Sequence, residues 1–215
     1  MFVEKWMTLN PVTVPPHMTI SAAALQMGRH KFRHLLVVEV SSKAKQLVGL
    51  LSKYDIARAF PNNLNPFSLD VAEDTVAQPI STIMVRNVIT VEPYCTIEEA
   101  ARIFRARRIN AMPVVRAGNL VGIITESDIF DALLNMTGAN GHGIRIVVES
   151  GDVKNTLALI LHLADQHRLD ILNATSYHDN KSENKVFSVF HFSSCPSEQF
   201  IEQLRARGLR AVKLG

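Results

Sequence analysis

The sequence predicts a protein of the α/β (α+β) class, built from two copies of a β-α-β-β-α unit and a third unit of the order β-α-β-β-α-β. Two observations lead to this prediction. A pattern of about 50 residues occurs twice, and within each copy the spacing of apolar residues changes between that of strands and that of helices. The 215 residues, of which 47% are apolar and 20% charged, are enough to form the cores of such units.

The repeat begins with a segment that carries Met, Asn, Thr-Val, Pro and Thr-Ile in the same order in both copies. This segment is WMTLNPVTVPPHMTI (6–20) in the first copy and IMVRNVITVEPYCTI (83–97) in the second, an offset of 77. Near the end of each copy, LVGLLSKYDI (47–56) matches LVGIITESDI (120–129) at an offset of 73. The offsets differ because the first copy has four extra residues, which we place in the polar loop VSSKAKQ. Repetition of this length predicts two related supersecondary units.

Each copy contains the signals of a short strand, a helix, a pair of strands and a second helix. Thr19 and Thr96 stand where N-cap residues are preferred, and Glu99 completes a capping box in the second copy. Gly118 marks the turn of a hairpin in that copy, Ala117-Gly118-Asn119. The predicted boundaries are 12–14, 22–31, 35–40 and 46–52 in the first copy and 88–91, 98–107, 112–116 and 120–125 in the second, with the last helices beginning near Tyr54 and Ser127.

These motifs resemble those of the CBS domain. The pattern M-x-x-N-x-x-T-V-x-P-x-x-T-I is followed in the second copy by the strand A-M-P-V-V and then by L-V-G-I-I-T-x-x-D-I. Two tandem copies resemble the CBS pair, or Bateman module, and the resemblance covers residues 1 to about 135. The first copy differs at Leu36, where the second copy has Pro113.

Both copies end with a hydroxyl residue three positions before an aspartate, Ser52 with Asp55 and Thr125 with Asp128. This spacing is that of a capping box, in which the hydroxyl caps the following helix and the carboxylate bonds back to the backbone. In CBS pairs, which these residues resemble, the aspartate accepts hydrogen bonds from the ribose hydroxyls of an adenine nucleotide, and the Ser or Thr helps to hold the sugar and phosphate. An ionised carboxylate can accept both hydroxyls. The two interpretations are compatible, and both stay open.

The resemblance also implies the other walls of a nucleotide site. Adenine would lie between apolar walls, formed by Thr13, Val14, Leu35, Leu36 and Val37 in the first copy and by Thr90, Val91, Met112, Pro113 and Val114 in the second. The candidates for phosphate binding are Arg33, His34, Lys53 and Arg108. Basic residues at the end of a helix also interact favourably with its dipole, which is the alternative explanation for them. The implied ligand is AMP, ADP or ATP, with S-adenosylmethionine left open, and no metal is expected.

Residues 144–215 have a different pattern, βαββαβ, which is the split-βαβ, ferredoxin-like plan. Strands are predicted at 144–149, 171–176, 186–192 and 209–214, and helices at 153–166 and 198–207, the first with Leu157, Ile160, Leu161 and Ala164 on its buried face. This order resembles the ACT domain, which implies an amino-acid effector site at Gly151 and Asp152 in the loop ESGDV. The Asp-x-Pro-Gly pattern of such loops is absent, so the alternative is a domain that only dimerises.

These patterns predict five segments. They are CBS repeat 1 (1–61), a connecting segment (62–79), CBS repeat 2 (80–137), a glycine-rich linker (138–143) and an ACT-like domain (144–215). The linker GANGHG follows a helical pattern instead of a strand, so it is not a phosphate-binding glycine motif. A CBS pair followed by an ACT-like domain resembles the acetoin-utilisation regulatory proteins of bacteria.

Charge and motif content argue against several function classes. The net charge of +3, from 23 basic and 20 acidic residues, is too small and dispersed to indicate nucleic-acid binding. Cys95 and Cys195 follow no metal-ligand or redox spacing, so we expect two reduced thiols. The sequence contains no P-loop, Gly-x-Ser-x-Gly or helical zinc motif, and we expect no enzyme activity. It also contains no recognisable signal peptide or membrane span, so we expect a cytoplasmic protein.

We therefore expect a regulatory, non-catalytic sensor in which binding of an adenine nucleotide shifts the population between two arrangements of the chain. The alternatives are a dimeric interaction scaffold with vestigial ligand sites, and amino-acid sensing by the ACT-like domain. A homodimer is expected in each case, with the apolar residues of the helices at 22–27 and 100–104 available for association. The sequence does not identify the downstream protein.

Overall fold

The computed structural model describes residues 1–40, 45–61, 63–68, 72, 75–139, 143–179 and 185–214. The chain forms two compact units, residues 1–132 and 133–215. Several predicted features lie partly outside the described residues. These are the polar loop of the first copy, the connecting segment, the glycine-rich linker and the turn HDNKSEN between the second and third strands of the last unit.

The first unit contains both repeats, and the mixed α and β fold class predicted from the sequence is confirmed. Its elements are β1 (Thr8–Leu9), β2 (Thr13–Val14), α1 (Ile20–His30), β3 (His34–Val40), β4 (Lys45–Ser52), α2 (Lys53–Ala59), α3 (Ile97–Arg107), β5 (Ala111–Arg116), β6 (Asn119–Thr125) and α4 (Glu126–Met136), the last of which continues beyond residue 132. The strands form two three-stranded sheets, ordered β2-β3-β4 and β1-β6-β5.

The short strand predicted at 88–91 is wrong except at its last residue. Val91 forms a single parallel bridge with Val114, and the backbone just before it turns, because the Val88 N–H donates to the Arg86 carbonyl. Repeat 2 gains its third strand from the start of the chain instead, where β1 pairs antiparallel with β6 and places Thr8 opposite Ile123. A long-range pairing of this kind leaves no signal in local periodicity.

Each repeat is contacted by the first segment of the other repeat. The Val3 N–H donates to the Cys95 carbonyl at 2.9 Å, which holds the start of the chain on repeat 2. In the opposite direction Leu50 and Val85 exchange two backbone hydrogen bonds of 2.9 Å each, which hold the first segment of repeat 2 on repeat 1. The two repeats therefore form one folded unit.

The methionines and glycines that recur in the two copies are partners across the repeats. A Cβ added to Gly122 would lie 2.6 Å from Met7 Sδ, and one added to Gly49 would collide with Met84 in the same way. The glycines are therefore explained by the close approach of a methionine side chain from the other copy.

The helix caps predicted from the repeat are formed. Thr19 Oγ1 accepts a hydrogen bond from the Ala22 N–H at 3.2 Å, and Thr96 Oγ1 accepts one from the Glu99 N–H at 3.1 Å. The reciprocal half of the predicted capping box is not formed among the described residues, because the Glu99 carboxylate pairs with Arg102 at 3.4 Å.

Backbone conformations with positive φ end both first helices and form the hairpin turn. Lys31 (φ 56°) and Arg108 (φ 53°) are the left-handed C-caps of α1 and α3. Ala117 (φ 49°) and Gly118 (φ 81°) connect β5 to β6 in a two-residue turn, which is one residue shorter than predicted.

The helix faces that we expected to be available for dimer formation are buried in the cores of their own repeats. The side chains concerned are Ala23, Ala24 and Met27 of α1 and Ala100 and Phe104 of α3. That expectation is wrong for these residues, because the β-sheet of each repeat covers the apolar face of its first helix. Exposed apolar side chains occur on the second helices instead, at Tyr54 (69% exposed) and Phe130 (65%).

The second unit has the predicted βαββαβ order. Its elements are β7 (Ile144–Ser150), α5 (Val153–Gln166), β8 (Ile171–His178), β9 (Val186–Phe192), α6 (Glu198–Ala206) and β10 (Arg210–Leu214). They form an antiparallel sheet in the order β10-β7-β9-β8, with the first and third strands of the unit at its centre. This order is that of the split-βαβ plan, so the topology agrees with an ACT-like domain.

The buried face of α5 differs from the prediction at one position. Ile160 and Ala164 are buried as predicted, but Leu161 is 57% exposed and Leu163 takes its place in the core. The buried face of the helix also includes Thr156. Its hydroxyl donates to the Asp152 carbonyl at 2.6 Å, so the side chain can be buried without an unsatisfied polar group. A buried threonine of this kind is not apolar, so hydrophobic spacing did not detect it.

Candidate functional site

A cavity of about 290 Å³ lies between the two repeats of the first unit, and we call it the first cleft. Its volume is near the lower end of the range of small-molecule sites, about 300 to 1,000 Å³. Three segments form it, namely the start of the chain around β1, the junction between α1 and β3, and the end of β6. The lining residues are Thr8, Asn10, Pro11, Val12, Lys31, Phe32, Arg33, His34, Leu36, Ile123 and Thr125.

Thr125, which lines the first cleft, is bonded to the predicted aspartate Asp128. The backbone N–H and the hydroxyl of Thr125 both donate to Asp128 Oδ2, at 2.7 and 2.8 Å. The other carboxylate oxygen, Oδ1, accepts no hydrogen bond from the residues that the structure describes. One oxygen of Asp128 therefore holds the start of α4, and the other is available as an acceptor, although Asp128 itself is not among the lining residues of the first cleft.

The corresponding pair in the first copy, Ser52 and Asp55, forms a complete capping box. The N–H and hydroxyl of Ser52 donate to Asp55 Oδ2 at 2.8 and 2.6 Å, and the Asp55 N–H donates to Ser52 Oγ at 3.3 Å. The capping interpretation of the repeated phrase is thus confirmed for this copy. It does not exclude ligand binding, because only one carboxylate oxygen takes part.

Basic residues at the junction between α1 and β3 line the first cleft, and two of them also connect the two repeats. Arg33 Nη2 donates to Ser127 Oγ at 2.8 Å, and His34 Nε2 lies 2.9 Å from Asn110 Oδ1. Lys31, the left-handed cap of α1, lines the same wall. Two formal positive charges, those of Lys31 and Arg33, therefore face one end of the cleft.

Burial lowers the pKa of His34 below its usual value of 6.5. The Asn110 hydrogen bond raises it, the Arg33 charge lowers it further and the Asp55 carboxylate raises it, but the net direction is downward. His34 is accordingly a neutral imidazole at pH 7, and it contributes a hydrogen-bonding group to the cleft instead of a permanent charge.

Most of the predicted adenine walls lie outside the first cleft. Leu36 lines it. The other apolar members are in the hydrophobic cores, namely Val14, Leu35 and Val37 in repeat 1 and Val91, Met112 and Val114 in repeat 2. Thr13 is half-buried in β2, Thr90 is exposed, and Pro113 is buried in β5. Because β3 is buried on both faces at residues 35–38, its sequence does not show which side chains face the cleft.

Another part of the lining of the first cleft, the loop of Asn10, Pro11 and Val12, was not predicted from the sequence. One sequence signal for this loop was the asparagine that recurs in both copies of the motif, Asn10 and Asn87. In the structure Asn10 has a positive φ of 46°. Asparagine tolerates that conformation better than most residues. Lys31 was also missed, although the residue at the corresponding place in the second copy, Arg108, was a candidate.

Lys53 and Arg108, the other two candidates for phosphate binding, do not line the first cleft. The Lys53 ammonium lies 4.8 Å from the centre of the Phe67 ring, and its backbone N–H donates to the Arg33 carbonyl at 3.0 Å. Arg108 is exposed at the end of α3.

The family model of the CBS domain matches residues 3–62 and 80–135, which is more than half of the chain. The chain belongs to the CBS domain family. The tandem CBS pair predicted from the repeat is thereby confirmed, and the first cleft lies between its two CBS repeats.

Relatives share the CBS pair within chains of different lengths. Protein MJ1225 of Methanocaldococcus jannaschii is 31% identical over 136 residues, which are 60% of this chain and 48% of that protein. Inosine-5'-monophosphate dehydrogenase of Aquifex aeolicus is 30% identical over 128 residues, 59% of this chain and 23% of the enzyme. The chain thus spans about half of the first relative and about a quarter of the second.

Solved structures of similar CBS proteins include two with adenosine ligands. AcuB of Vibrio cholerae has a TM-score of 0.53 and 27% identity, covering 65% of this chain and 95% of its own. The CBS domain pair of protein MJ0100, in complex with 5'-methylthioadenosine and S-adenosyl-L-methionine, has a TM-score of 0.52 and 27% identity, with coverages of 63% and 97%. CBSX2 in complex with AMP has a TM-score of 0.51 and 26% identity, with coverages of 62% and 96%.

The ACT-like domain has a cavity of about 300 Å³ at the loop predicted from its topology. Gly151 and Asp152 line it together with side chains of both charges, including Glu149 and Arg207. Asp152 also caps α5, because Asp152 Oδ1 accepts a hydrogen bond from the Asn155 N–H at 3.0 Å.

The part of the chain that the structure describes contains no group of three or more His, Cys, Asp or Glu side chains that could hold a metal ion. None of its helices is long and apolar enough to cross a membrane. Both cysteines are free, and burial raises the pKa of the Cys95 thiol, with the Glu99 charge raising it further.

Proposed function

We propose that this protein is a regulatory, non-catalytic adenine-nucleotide sensor that binds AMP, ADP or ATP in the first cleft of its CBS pair. The observation that carries the proposal is the composition of that cleft. The lining of this cavity of about 290 Å³ includes two cations, Lys31 and Arg33, and Thr125, which is bonded to Asp128. The AMP complex of CBSX2 supports the proposal from a related protein.

Each part of a nucleotide has a matching group in this proposal. The purine packs between apolar side chains of opposite walls, Val12, Leu36 and Ile123. A ribose hydroxyl donates to Asp128 Oδ1, the oxygen that the helix cap leaves open. The phosphate accepts charge-assisted hydrogen bonds from Arg33, whose guanidinium now donates to the neutral hydroxyl of Ser127.

The charge of the cleft favours nucleotides over S-adenosylmethionine. Lys31 and Arg33 attract the phosphate at the 5' end of a nucleotide. S-adenosylmethionine carries a sulfonium cation at that position, which the same two residues repel. We therefore expect AMP, ADP or ATP to be the ligand of this CBS pair.

Binding at Arg33 also offers a route to regulation. The hydrogen bonds from Arg33 to Ser127 and from His34 to Asn110 connect the repeats without a ligand. A phosphate that replaces Ser127 as the hydrogen-bond partner of Arg33 breaks one of these two connections. The ligand then shifts the population toward the arrangement of the repeats that it binds more tightly. In the proposal the change is read by a downstream protein, and the sensor acts in the cytoplasm as a homodimer.

Isothermal titration calorimetry with AMP, ADP, ATP and S-adenosylmethionine tests the proposal. We expect heat with at least one nucleotide, and a dissociation constant for S-adenosylmethionine about tenfold or more weaker. Arg33→Ala should weaken nucleotide binding by about tenfold or more, because a charged hydrogen bond is lost. Recovery of the nucleotide unchanged after incubation is expected of a sensor without catalysis. No heat with any nucleotide, from protein free of co-purified ligand, would favour the scaffold alternative.

Amino-acid sensing by the ACT-like domain is a second candidate, favoured by the cavity beside Gly151 and Asp152. Glu149 and Arg207 line this cavity and could pair with the ammonium and carboxylate groups of a free amino acid. A thermal-shift screen of the twenty amino acids tests it, with Arg207→Ala as the variant that should lose any shift. A flat screen would leave the domain with a role in dimer formation alone.

A further inference from the structure

We infer that only one of the two related clefts of the CBS pair binds nucleotide, so that each chain takes up one AMP, at Asp128 and not at Asp55. The second cleft is defined by the residues that correspond to those of the first, with Ser52 and Asp55 in place of Thr125 and Asp128. The inference rests on the proposed function and names the working site within it.

The two clefts differ in the residues that face a phosphate. The basic residues of the first cleft are Lys31, Arg33 and His34, and the residues 77 positions later are Arg108, Asn110 and Ala111. A guanidinium is therefore replaced by a neutral amide, and an imidazole by a methyl group. Ala111 is 3% exposed and forms the start of β5, so it offers the second cleft no polar side chain.

The amide that replaces the guanidinium already uses its oxygen in a contact with the first cleft. Asn110 Oδ1 lies 2.9 Å from His34 Nε2, a side chain that belongs to the wall of the first cleft. Arg33 in the first cleft has a neutral partner, Ser127, which a phosphate can replace with a gain in electrostatic energy. Asn110 Nδ2 can donate to a phosphate, but as a neutral amide it brings no positive charge to the second cleft. The two contacts between the repeats thus make the clefts unequal.

Other cations near Asp55 do not compensate for this difference. Lys53 is held over the ring of Phe67, as described above. Arg58 lines a separate cavity of about 280 Å³ with Asp55, Ala59 and Ile83. None of these four residues corresponds to one that lines the first cleft, so this cavity does not reproduce the arrangement around Thr125.

Calorimetric titration of the intact chain with AMP tests the inference through a matched pair of variants, Asp128→Asn and Asp55→Asn. Asparagine keeps the shape of the side chain and can still accept the cap hydrogen bonds, so both variants should fold alike. We expect one AMP per wild-type chain, a loss of affinity of about tenfold or more in Asp128→Asn, and affinity within about twofold of wild type in Asp55→Asn.

A second pair of variants changes the residue that distinguishes the first cleft from the second, Arg33. Arg33→Asn gives the first cleft the residue that the second cleft has, and we expect it to abolish measurable AMP binding. Arg33→Lys keeps the positive charge, and we expect it to retain binding weakened by no more than about tenfold. Thermal unfolding of both variants shows whether they are equally folded.

The outcomes separate the inference from the proposed function. Two AMP molecules per chain, or binding lost in Asp55→Asn and kept in Asp128→Asn, would overturn the inference while the sensor function stood. Unaltered binding in Arg33→Asn would overturn it as well. Absence of heat from the wild-type chain with AMP, ADP and ATP would instead overturn the proposed function itself.

Discussion

Asp128 uses one of its two carboxylate oxygens for the fold, and in the proposed site the other oxygen is left for a ligand. Oδ2 accepts two hydrogen bonds from Thr125, which orient the carboxylate at the first turn of α4. The position of Oδ1 is thereby set before a ligand arrives, so little conformational entropy is lost on binding. The spacing of Thr125 and Asp128 predicted the capping role, because a capping box is a local structure, whereas the ribose-binding role was implied only by the resemblance to the CBS domain.

The left-handed caps Lys31 and Arg108 allow stability and binding to be separated. Both residues have positive φ, a conformation that glycine adopts without strain, so Lys31→Gly and Arg108→Gly should each stabilise the fold or leave it unchanged, within about 1 kcal/mol. Only Lys31→Gly removes a cation from the first cleft, and it should weaken AMP binding several-fold. Urea denaturation and calorimetry measure the two effects. Equal loss of AMP binding in both variants would contradict the placement of Lys31.

His34 should make the stability of the fold depend on pH. Its pKa is lowered mainly by burial, so below pH 6.5 the unfolded chain takes up a proton more readily than the folded chain. The stability that depends on neutral His34 is therefore present above pH 6.5 and is lost as the pH falls below that value. His34→Gln removes the titration and can still donate to Asn110.

Urea denaturation at intervals between pH 7.5 and pH 5 measures this effect, and the range brackets the usual histidine pKa of about 6.5. The free energy of unfolding of the wild type should fall more steeply with acidification than that of His34→Gln. Parallel pH profiles of the two proteins would show that His34 is not the group responsible.

At the scale of elements, the first segments of the two repeats are exchanged, so that β1 packs on repeat 2 and the segment around Val85 packs on repeat 1. Aligning the copies paired Met7 with Met84 and Gly49 with Gly122, but it did not show that each methionine packs on the glycine of the other copy. Exchange of this kind depends on contacts more than a hundred residues apart in the case of Met7 and Gly122. Sequence periodicity carries no information on such distances.

The contact between Met7 and Gly122 should be sensitive to one added methyl group. Gly122→Ala places a Cβ 2.6 Å from Met7 Sδ and 3.0 Å from the Thr8 carbonyl, and it should destabilise the fold by about 1 to 3 kcal/mol. Met7→Ala combined with Gly122→Ala should restore part of that loss, because the clash with the sulfur is removed. A double-mutant cycle measured by urea denaturation gives the coupling energy. Strictly additive effects would mean that the two residues do not interact.

At the scale of the whole molecule, the two units carry separate candidate sites. The first cleft belongs entirely to residues 1–132, and the cavity beside Gly151 belongs entirely to the second unit. A nucleotide and an amino acid could therefore be sensed by different parts of one chain.

Hydrogen exchange of the intact chain with and without AMP can locate the nucleotide site. Peptides that contain residues 8–12, 31–36 and 123–128 should exchange more slowly with AMP bound, because these segments line or adjoin the first cleft. Peptides that contain residues 149–152 should serve as an internal control. Protection confined to 149–152 would place the nucleotide in the ACT-like domain and contradict the assignment to the CBS pair.

The sequence by itself determined the features that depend on neighbours along the chain. The two repeats, the caps at Thr19 and Thr96, the bounds of α5 and the Thr125–Asp128 pair all follow from spacing, propensity and hydrogen bonding over a few residues. The tertiary structure decided which copy each segment joins, which side of β3 faces the cleft, and that Arg33 reaches Ser127 while His34 reaches Asn110. Those features result from packing between distant segments, in which two related repeats place different side chains at corresponding positions.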